Sequence, residues 1–381
     1  MHLPDYDNSI VNLAASVARA GGAGDTGYAP LPQLPTARLE GRPVVLLVAD
    51  GLGNELLQHH PDSHLAWHLA GQLTSVFPST TAAAVTSFAT AVAPQQHAIT
   101  GWFTWFRELG SVSAVLPFAP RGGGTDFARL GIEPQQLVGA RPFAERLVVP
   151  SRVLTPSSIV DSAYTRFTGN TSERHGHQGL SDFFEQLSGL VHSGPGYIYA
   201  YWTEVDALAH QHGFHSEQVN EHFFHFDRFF GNFLEAIAGT GAIVLVTADH
   251  GLIDTVPERI IRVEEHPQLE KTLALPLCGE PRAAFCYVRS GRAAEFEAYI
   301  QGELGHAIEM RHSRELIEAG WFGQGPADPR LDHRVGDYTL LMRDNWVIHD
   351  RLLTETPFSQ IGVHGGISEA EMTVPLIIVE S

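Results

Sequence analysis

Three uninterrupted hydrophobic runs along the chain each end in acidic residues. They are PVVLLVAD, which ends at Asp50, YIYAYWTEVD, which ends at Asp206, and AIVLVTADH, which ends at Asp249 and His250. Runs without polar alternation are typical of parallel strands that are buried on both faces. Because open α/β sheets bind ligands beyond the carboxyl ends of their strands, we expect the three aspartates to meet at one edge of a sheet.

The order of the other segments predicts a layered architecture. Strand and helix signals alternate after a lead-in helix and a proline-rich approach within the first forty residues, which favours a mainly parallel sheet covered by helices. From about residue 252 to 345 the pattern changes to a mixture of helices and strands, before a last hydrophobic run, VPLIIVE. We therefore predict an α/β core formed by residues 1–251 and 346–381, with a small inserted α+β cap formed by residues 252–345.

The three aspartates indicate a metal site. Carboxylates cannot crowd together unpaired without large upward shifts of pKa, so a cation is expected among them. Asp206 and His210 are four residues apart and would share one face of a helical turn. His250 follows Asp249 directly, and His364 lies in GVHGG, where glycines allow close approach of the backbone. Mixed carboxylate and imidazole ligands suit zinc, manganese, iron or cobalt, and the residue types do not choose among them.

A candidate nucleophile lies in FPSTTAAAV. Ser79, Thr80 and Thr81 precede a helix-forming run, so their hydroxyls would lie among the unpaired amides of a first helical turn, where anions bind. A hydroxyl beside a metal ion can lose its proton and attack phosphorus. Capping of the helix is the alternative role for the same three residues.

The ordered set VADG, FPSTT, EVDALAHQHG, TADHG and GVHGG resembles the type I phosphodiesterase/nucleotide pyrophosphatase family, which has the alkaline-phosphatase-like fold. The resemblance covers most of the chain. It implies that Thr81 is the nucleophile and forms a covalent phosphothreonine, with Thr80 as the alternative. It also implies two divalent ions, zinc or alternatively manganese, with Thr81 contacting the second. The implied ligand sets are Asp206, His210 and His364 for one ion, and Asp50, Asp249 and His250 for the other.

The substrate side of the site is less defined. Trp102 stands near the position where family members that cleave nucleotides usually carry an asparagine. Trp102 and Trp105 are expected either to stack on a base or aromatic leaving group, or to pack in the core. Arg282 is a candidate phosphate contact, or else an exposed charge at a strand edge. Because the arginine nearest to Thr81 in sequence is Arg107, we expect a small phosphodiester or a nucleotide, rather than a phosphomonoester, as the substrate.

Composition narrows the class of protein. The formal net charge of −19 disfavours binding to long nucleic acids, because no basic run offers a track for phosphates. With only two cysteines and no bilayer-spanning apolar stretch, the chain is predicted to lack a disulfide framework and to be cytoplasmic and free of membranes. A phosphomonoesterase or phosphomutase of the same superfamily, or a non-catalytic metal-binding protein, are the alternative functions. The sequence does not indicate an oligomeric state.

Overall fold

Two seven-stranded sheets organise the part of the chain that the structure, a computed structural model, describes, namely residues 1–357 and 359–381. The strands in chain order are β1 Pro43–Ala49, β2 Leu69–Thr74, β3 Phe103–Phe106, β4 Ser111–Ala114, β5 Ala119–Pro120, β6 Ser151–Pro156, β7 Glu173–His177, β8 Gly196–Trp202, β9 Ile243–Thr247, β10 Ile253–Asp254, β11 Ile260–Arg262, β12 Cys278–Glu280, β13 Ala283–Cys286, β14 Ile308–His312, β15 Tyr338–Met342, β16 Val347–His349, β17 Gly362–Val363 and β18 Thr373–Glu380.

Helices connect and cover these strands. In chain order they are α1 Ile10–Ala20, α2 Thr36–Leu39, α3 Asn54–His59, α4 His64–Trp67, α5 Thr81–Thr90, α6 Pro94–His97, α7 Ala163–Gly169, α8 Leu180–His192, α9 Glu204–His212, α10 Glu217–Ala236, α11 Pro267–Glu270, α12 Ala293–Tyr299, α13 Ser313–Glu318, α14 Leu331–Arg334 and α15 Glu369–Met372. Short 3-10 turns occupy Ala128–Leu130, Pro134–Gln136, Phe143–Arg146, Pro257–Arg259 and Val263–Glu265, and a π-helical turn occupies Ile300–Leu304.

The main sheet has the strand order β2-β18-β9-β1-β8-β6-β7. Every residue of β1 is buried, and β1 runs parallel to both β8 and β9, as continuous hydrophobic runs predict. Strand β18 is the exception, because it lies antiparallel between β9 and β2. The predicted fold, a layered α/β core with a mainly parallel sheet, is confirmed. The carboxyl ends of β1, β8 and β9 therefore lie side by side at one edge of the sheet.

Helix α8 shows how the sequence attaches helices to this sheet. Its buried residues recur at helical spacing, so they form one apolar stripe: Phe183, Phe184, Leu187, Leu190 and Val191. That stripe contacts β1, β6, β7 and β8, and α10 packs on α8 in turn. Complete burial of each such side chain contributes about 1.5–3 kcal/mol to the free energy of unfolding. Tertiary packing of this stripe therefore holds α8 against the sheet.

The second sheet has the order β14-β15-β13-β12-β3-β4-β5 and is antiparallel throughout. Four of its strands, β12 to β15, come from the segment that we predicted as an inserted cap, residues 252–345. The other three, β3 to β5, come from a segment that we assigned to the core. The second sheet is thus built from two distant parts of the chain, since pairing of Phe103 with Gly279 joins them. Sequence patterning could not reveal this pairing, because it detects only local periodicity.

Two further properties concern the whole chain. Cys278 and Cys286 are buried free thiols on neighbouring strands. In the part of the chain that the structure describes, no helix combines the length and the hydropathy needed to cross a bilayer.

Candidate metal centre and active site

The three aspartates meet at the carboxyl edge of the main sheet. Asp50 follows β1, Asp249 follows β9 after one residue, and Asp206 lies in the first turn of α9, just beyond β8. Asp249 is completely buried, and its Oδ1 accepts hydrogen bonds from the amides of Gly51, at 3.1 Å, and His250, at 3.0 Å. The hydroxyl of Tyr201 donates to Asp50 Oδ2. Strand ends and local backbone amides thus fix the orientation of these carboxylates.

Three histidines surround the aspartates with their Nε2 atoms directed inward. The Nδ1 atom of each ring lies within hydrogen-bonding distance of a backbone carbonyl: Gly362 O for His210 at 2.7 Å, Gly251 O for His250 at 3.1 Å, and Ser79 O for His364 at 3.2 Å. A carbonyl can only accept, so each ring carries its proton on Nδ1 when neutral, and Nε2 retains a lone pair. This is the arrangement by which proteins orient histidines that bind metal ions.

The distances across the centre are those of groups that share cations. His210 Nε2 lies 3.1 Å from Asp206 Oδ2, and His250 Nε2 lies 3.4 Å from both Asp50 Oδ1 and Asp249 Oδ2. His364 Nε2 lies 3.8 Å from Asp206 Oδ1, and the rings of His250 and His364 stack with their centroids 3.6 Å apart. His250 and His364 thus direct acceptor nitrogens toward carboxylate oxygens, whereas His210 and Asp206 are close enough to form an ion pair.

Unpaired carboxylate oxygens show that the residues fit a metal ion. Asp50 Oδ1, Asp206 Oδ1 and Asp249 Oδ2 are buried and have no hydrogen-bond partner among the described residues. They are also the oxygens that point to the histidine Nε2 atoms. A buried unpaired acceptor costs roughly 1–3 kcal/mol, or more when charged. Divalent cations bound between these oxygens and the imidazoles would satisfy all of them.

The pKa shifts have the same origin. Burial, together with repulsion from Asp249 and Asp206, raises the pKa of Asp50 well above its usual value. Burial and the charge of Asp206 raise the pKa of Asp249 to about 6. Burial lowers the pKa of His250 to about 4 and that of His364, which is also repelled by His250, to about 3. The protein therefore favours the neutral form of these two imidazoles, which is the form that binds metals. The two carboxylates, in contrast, have too little positive charge nearby to balance their own negative charge.

Asp206 and His210 differ from the rest of the centre because they form an ion pair. Although burial alone would lower it, the adjacent carboxylate of Asp206 raises the pKa of His210 to about 9. Likewise, His210 lowers the pKa of Asp206 below its usual value, despite the opposing effect of burial. Both residues lie on α9 at the four-residue spacing that the sequence predicted.

Two sets of three residues could each hold an ion. Asp50, Asp249 and His250 place one ligand atom each within 4.8 Å of one another, which is the second set that the family resemblance implied. Among the ligand candidates of this centre, the other set that meets this distance is Asp206, His250 and His364. Glu55, His59 and His215 also meet it, but two of these three residues are exposed. His250 thus lies between the two sets, in the place where the resemblance implied His210.

Thr81 is the hydroxyl that faces these ligands. It begins α5, and its Oγ1 lies 3.1 Å from His250 Nε2. The two neighbouring hydroxyls have structural partners, because Ser79 donates to Gly366 O at 2.8 Å and Thr80 donates to Glu280. Thr80 occupies the N-cap position, but its side chain makes no capping hydrogen bond. Among the three candidates, Thr81 is therefore the one whose hydroxyl lies next to the candidate metal ligands.

Glu280 is a site residue that the sequence analysis missed. It lies at the end of β12 in the second sheet, and its Oε1 accepts hydrogen bonds from the hydroxyl of Thr80 and from the Trp102 amide, the latter at 2.6 Å. Burial raises the pKa of Glu280 to about 7. The second sheet thereby reaches the residue next to Thr81. Since β12 has only three residues, its segment LCGEP carries no recognisable strand pattern.

The predicted substrate contacts have three different positions. Trp102 is 38% exposed and lines the same cavity of about 870 Å³ as Thr81. Trp105 is half-buried and packs edge-on against Tyr287, with ring centroids 6.4 Å apart, so its indole serves packing of the second sheet. Arg282 is neither an exposed charge nor free to bind phosphate. Its guanidinium is buried in a bidentate ion pair with Glu371, because an unpaired charge could not be buried there.

The comparison with protein families shows the family of the chain. The model of the family described as type I phosphodiesterase / nucleotide pyrophosphatase matches residues 44–366. The chain belongs to this family. It is therefore a phosphoester hydrolase of a family that typically depends on divalent metals. No curated protein matches the chain.

Solved structures of the same fold are similar to the chain at low sequence identity. Murine ectonucleotide pyrophosphatase / phosphodiesterase 5 has a TM-score of 0.64 at 16% identity, with 87% of each chain covered. The human protein of the same name has a TM-score of 0.64 at 15% identity, covering 88% of this chain and 87% of that chain. Phosphonoacetate hydrolase from Sinorhizobium meliloti, in complex with phosphonoacetate, has a TM-score of 0.66 at 16% identity, covering 88% of this chain and 89% of that chain. At these identities the likeness shows the fold alone.

Proposed function

We propose that this type I phosphodiesterase hydrolyses phosphodiester or nucleotide pyrophosphate bonds through a covalent phosphothreonine at Thr81. The observation that carries the proposal is the position of Thr81 Oγ1, which lies 3.1 Å from His250 Nε2 at the N-terminus of α5. An inactive threonine-to-alanine variant of the murine relative, solved in complex with AMP, supports the same residue type as nucleophile.

The residues proposed to hold two divalent ions, most readily zinc, are Asp206, His210 and His364 for one, and Asp50, Asp249, His250 and Thr81 for the other. When bound, such ions stabilise the negative charge on the attacking and leaving oxygens. Imidazole nitrogens together with carboxylate oxygens favour zinc or manganese over magnesium or calcium. The Nδ1 hydrogen bonds of the three histidines keep Nε2 directed at the centre.

The reaction at phosphorus needs two displacements. In the first, Thr81 Oγ1 releases its proton to solvent and forms a bond to phosphorus, while the bond from phosphorus to the leaving oxygen breaks and that oxygen takes up a proton from solvent. The N-terminus of α5 provides amides for the phosphate oxygens. In the second, water attacks the phosphothreonine and the threonine oxygen leaves, which restores the hydroxyl.

The charge of the cavity favours a diester over a monoester. A monoester dianion needs additional cationic donors, whereas a diester carries one negative charge. Among the described residues that line the cavity, Arg121 is the only arginine or lysine. Its guanidinium is already occupied by Glu355 and by the carbonyls of Leu277 and Asp350. We therefore expect the second, organic group of a diester in the space where a monoesterase would place cations.

Substitution of the two adjacent threonines tests the proposal. Thr81→Ala should lower kcat for bis(4-nitrophenyl) phosphate by about 10³-fold or more, because it removes the nucleophile while leaving the carboxylate and imidazole ligands in place. Thr80→Ala is the matched control and should be much milder, since it loses only the hydrogen bond to Glu280. Metal content is measured in both variants. The reverse order of effects would place the nucleophile at Thr80, and faster wild-type turnover of 4-nitrophenyl phosphate would refute the diester assignment.

A further inference from the structure

One arm of the active-site cavity extends from Thr81 into the interior of the α/β core. Thr81, Val85 and Ala89 line it at four-residue intervals, so they share one face of α5. Eight residues at 1.5 Å each make this wall about 12 Å long. The hydroxyl proposed to attack phosphorus lies at the mouth of the arm.

The opposite wall is a row of tyrosines on β8. Tyr197, Tyr199 and Tyr201 alternate along the strand, so their rings lie on one face of the sheet, over about 13 Å. Tyr201 is at the mouth, where its hydroxyl donates to Asp50. Tyr197 is deepest, next to Phe143, with ring centroids 5.4 Å apart. The two walls thus have the same length and begin at the same catalytic residues.

The chemistry of the deep lining is neutral. Its side chains include those of Phe143, Val153 and Ile159, and no charged residue lies among the described residues that line this end. Two hydroxyls there, Tyr199 Oη and Thr155 Oγ1, are buried without a hydrogen-bond partner among the residues that the structure describes. The hydroxyls of Ser162, Tyr164, Thr168 and Ser172, which also line the cavity, already have hydrogen-bond partners within the protein, so few unpaired donors and acceptors remain for a nucleobase.

We propose that this arm binds a linear alkyl group of a phosphodiester substrate, with the phosphate at Thr81 and the chain extended between α5 and β8. The inference rests on the proposed function and names its substrate class, an amphiphilic phosphodiester. A space between one face of a helix and a row of aromatic rings removes such a chain from water along its length.

Calorimetric titration of the metal-loaded protein with n-alkylphosphonates tests the arm without turnover. From ethylphosphonate to octylphosphonate, affinity should rise roughly two- to fourfold per methylene. The upper figure corresponds to full burial of each methylene, and the lower one allows for lost chain rotamers. The heat capacity change on binding should become more negative with chain length. Equal affinity for ethylphosphonate and octylphosphonate would overturn the proposal.

Blocking variants show where the chain binds. Ala89→Phe fills the arm about 12 Å from Thr81. It should lower the ratio of octylphosphonate affinity to ethylphosphonate affinity most of the way to one. The control is Ala294→Phe, the same change at an exposed position of α12, which should retain the wild-type ratio. If Ala89→Phe kept the wild-type ratio of the two affinities, the assignment of the alkyl chain to this arm would be contradicted.

Hydrolysis then separates this proposal from the proposed function. With methyl and octyl 4-nitrophenyl phosphate as substrates, kcat/KM should favour the octyl ester in the wild type and lose that preference in Ala89→Phe. Hydrolysis of both esters at the same kcat/KM would leave the phosphodiesterase function intact and refute the alkyl site. Chain-dependent binding of alkylphosphonates without hydrolysis of any diester would support the arm and refute the proposed function.

Discussion

The buried ion pair between Arg282 and Glu371 connects the stability of the protein to the loop that carries His364. Arg282 Nε and Nη2 donate to the two carboxylate oxygens of Glu371 at 3.1 and 3.0 Å, and both side chains are at most 2% exposed. Glu371 Oε1 also accepts the amide of Gly366 at 2.8 Å. Gly366 O in turn accepts the hydroxyl of Ser79, two residues before the proposed nucleophile.

Glu371→Gln should be strongly destabilising. It leaves the guanidinium of Arg282 buried without a counter-charge, for which measured costs in other proteins are about 3–5 kcal/mol. The amide group of glutamine would also place a donor against a donor on one side of the site. With an unfolding entropy of about 2 cal/mol/K per residue, this cost corresponds to a fall of about 4–6 °C in Tm, measured by calorimetry or circular dichroism.

Glu380→Gln is the matched control. Glu380 pairs with Arg38 and Arg42 but is 45% exposed, so the same change should shift Tm very little. Equal shifts for the two variants would refute the argument from burial. In addition, metal content of Glu371→Gln should fall more than that of Glu380→Gln, because the loop that positions His364 loses an anchor.

The pH dependence of this ion pair has a definite sign. Burial would raise the pKa of Glu371, but the guanidinium of Arg282 outweighs it and lowers that pKa below its usual value. A carboxyl group with a lowered folded pKa stabilises fully above its unfolded pKa, about 4.3, and loses this contribution as pH falls through the folded value. The difference in Tm between the wild type and Glu371→Gln should thus be constant between about pH 5 and 7 and shrink in more acidic solution.

Two further predictions concern the centre and the core. Tyr201→Phe removes the hydroxyl that donates to Asp50, so metal affinity, measured by competition with a chromogenic chelator, should fall about 10- to 100-fold; unchanged affinity would contradict the role of this hydrogen bond. Burial lowers the pKa of His97 to about 3. Between about pH 3 and 6.5 the unfolded chain therefore binds one more proton than the folded protein. As a result, His97 makes the free energy of unfolding rise with pH over that interval. His97→Gln should flatten this rise in urea titrations, and an identical slope would argue against a neutral buried imidazole.

Much of the centre could be predicted from sequence because its residues belong to local patterns. Asp50 directly follows a buried strand, Asp249 follows one after a single residue, and Asp206 and His210 have helical spacing. Their positions along the chain therefore predicted their positions in the fold. The cytoplasmic location of the protein stays a prediction. The predicted absence of binding to long nucleic acids and to membranes also stays a prediction.

What the sequence missed depends on contacts between distant segments. Arg282 pairs with Glu371, which lies 89 residues further along the chain, and Glu280 accepts a hydrogen bond from Thr80, which lies 200 residues earlier. Local periodicity in the sequence does not indicate either partner. The same reason explains why the predicted cap boundary did not include β3 to β5. Likewise, only the folded geometry shows that His250 lies between both sets of ligands.

The pairing of β3 with β12 has a consequence for synthesis of the protein on the ribosome. Strand β3 leaves the ribosome roughly 175 residues before β12, which at about 5–20 residues per second is on the order of ten to thirty seconds. During this interval β3 presents an unpaired edge, which is a template for aggregation. Cover of this edge by chaperones or transient contacts until its partner strand is translated would therefore favour productive folding of the nascent chain.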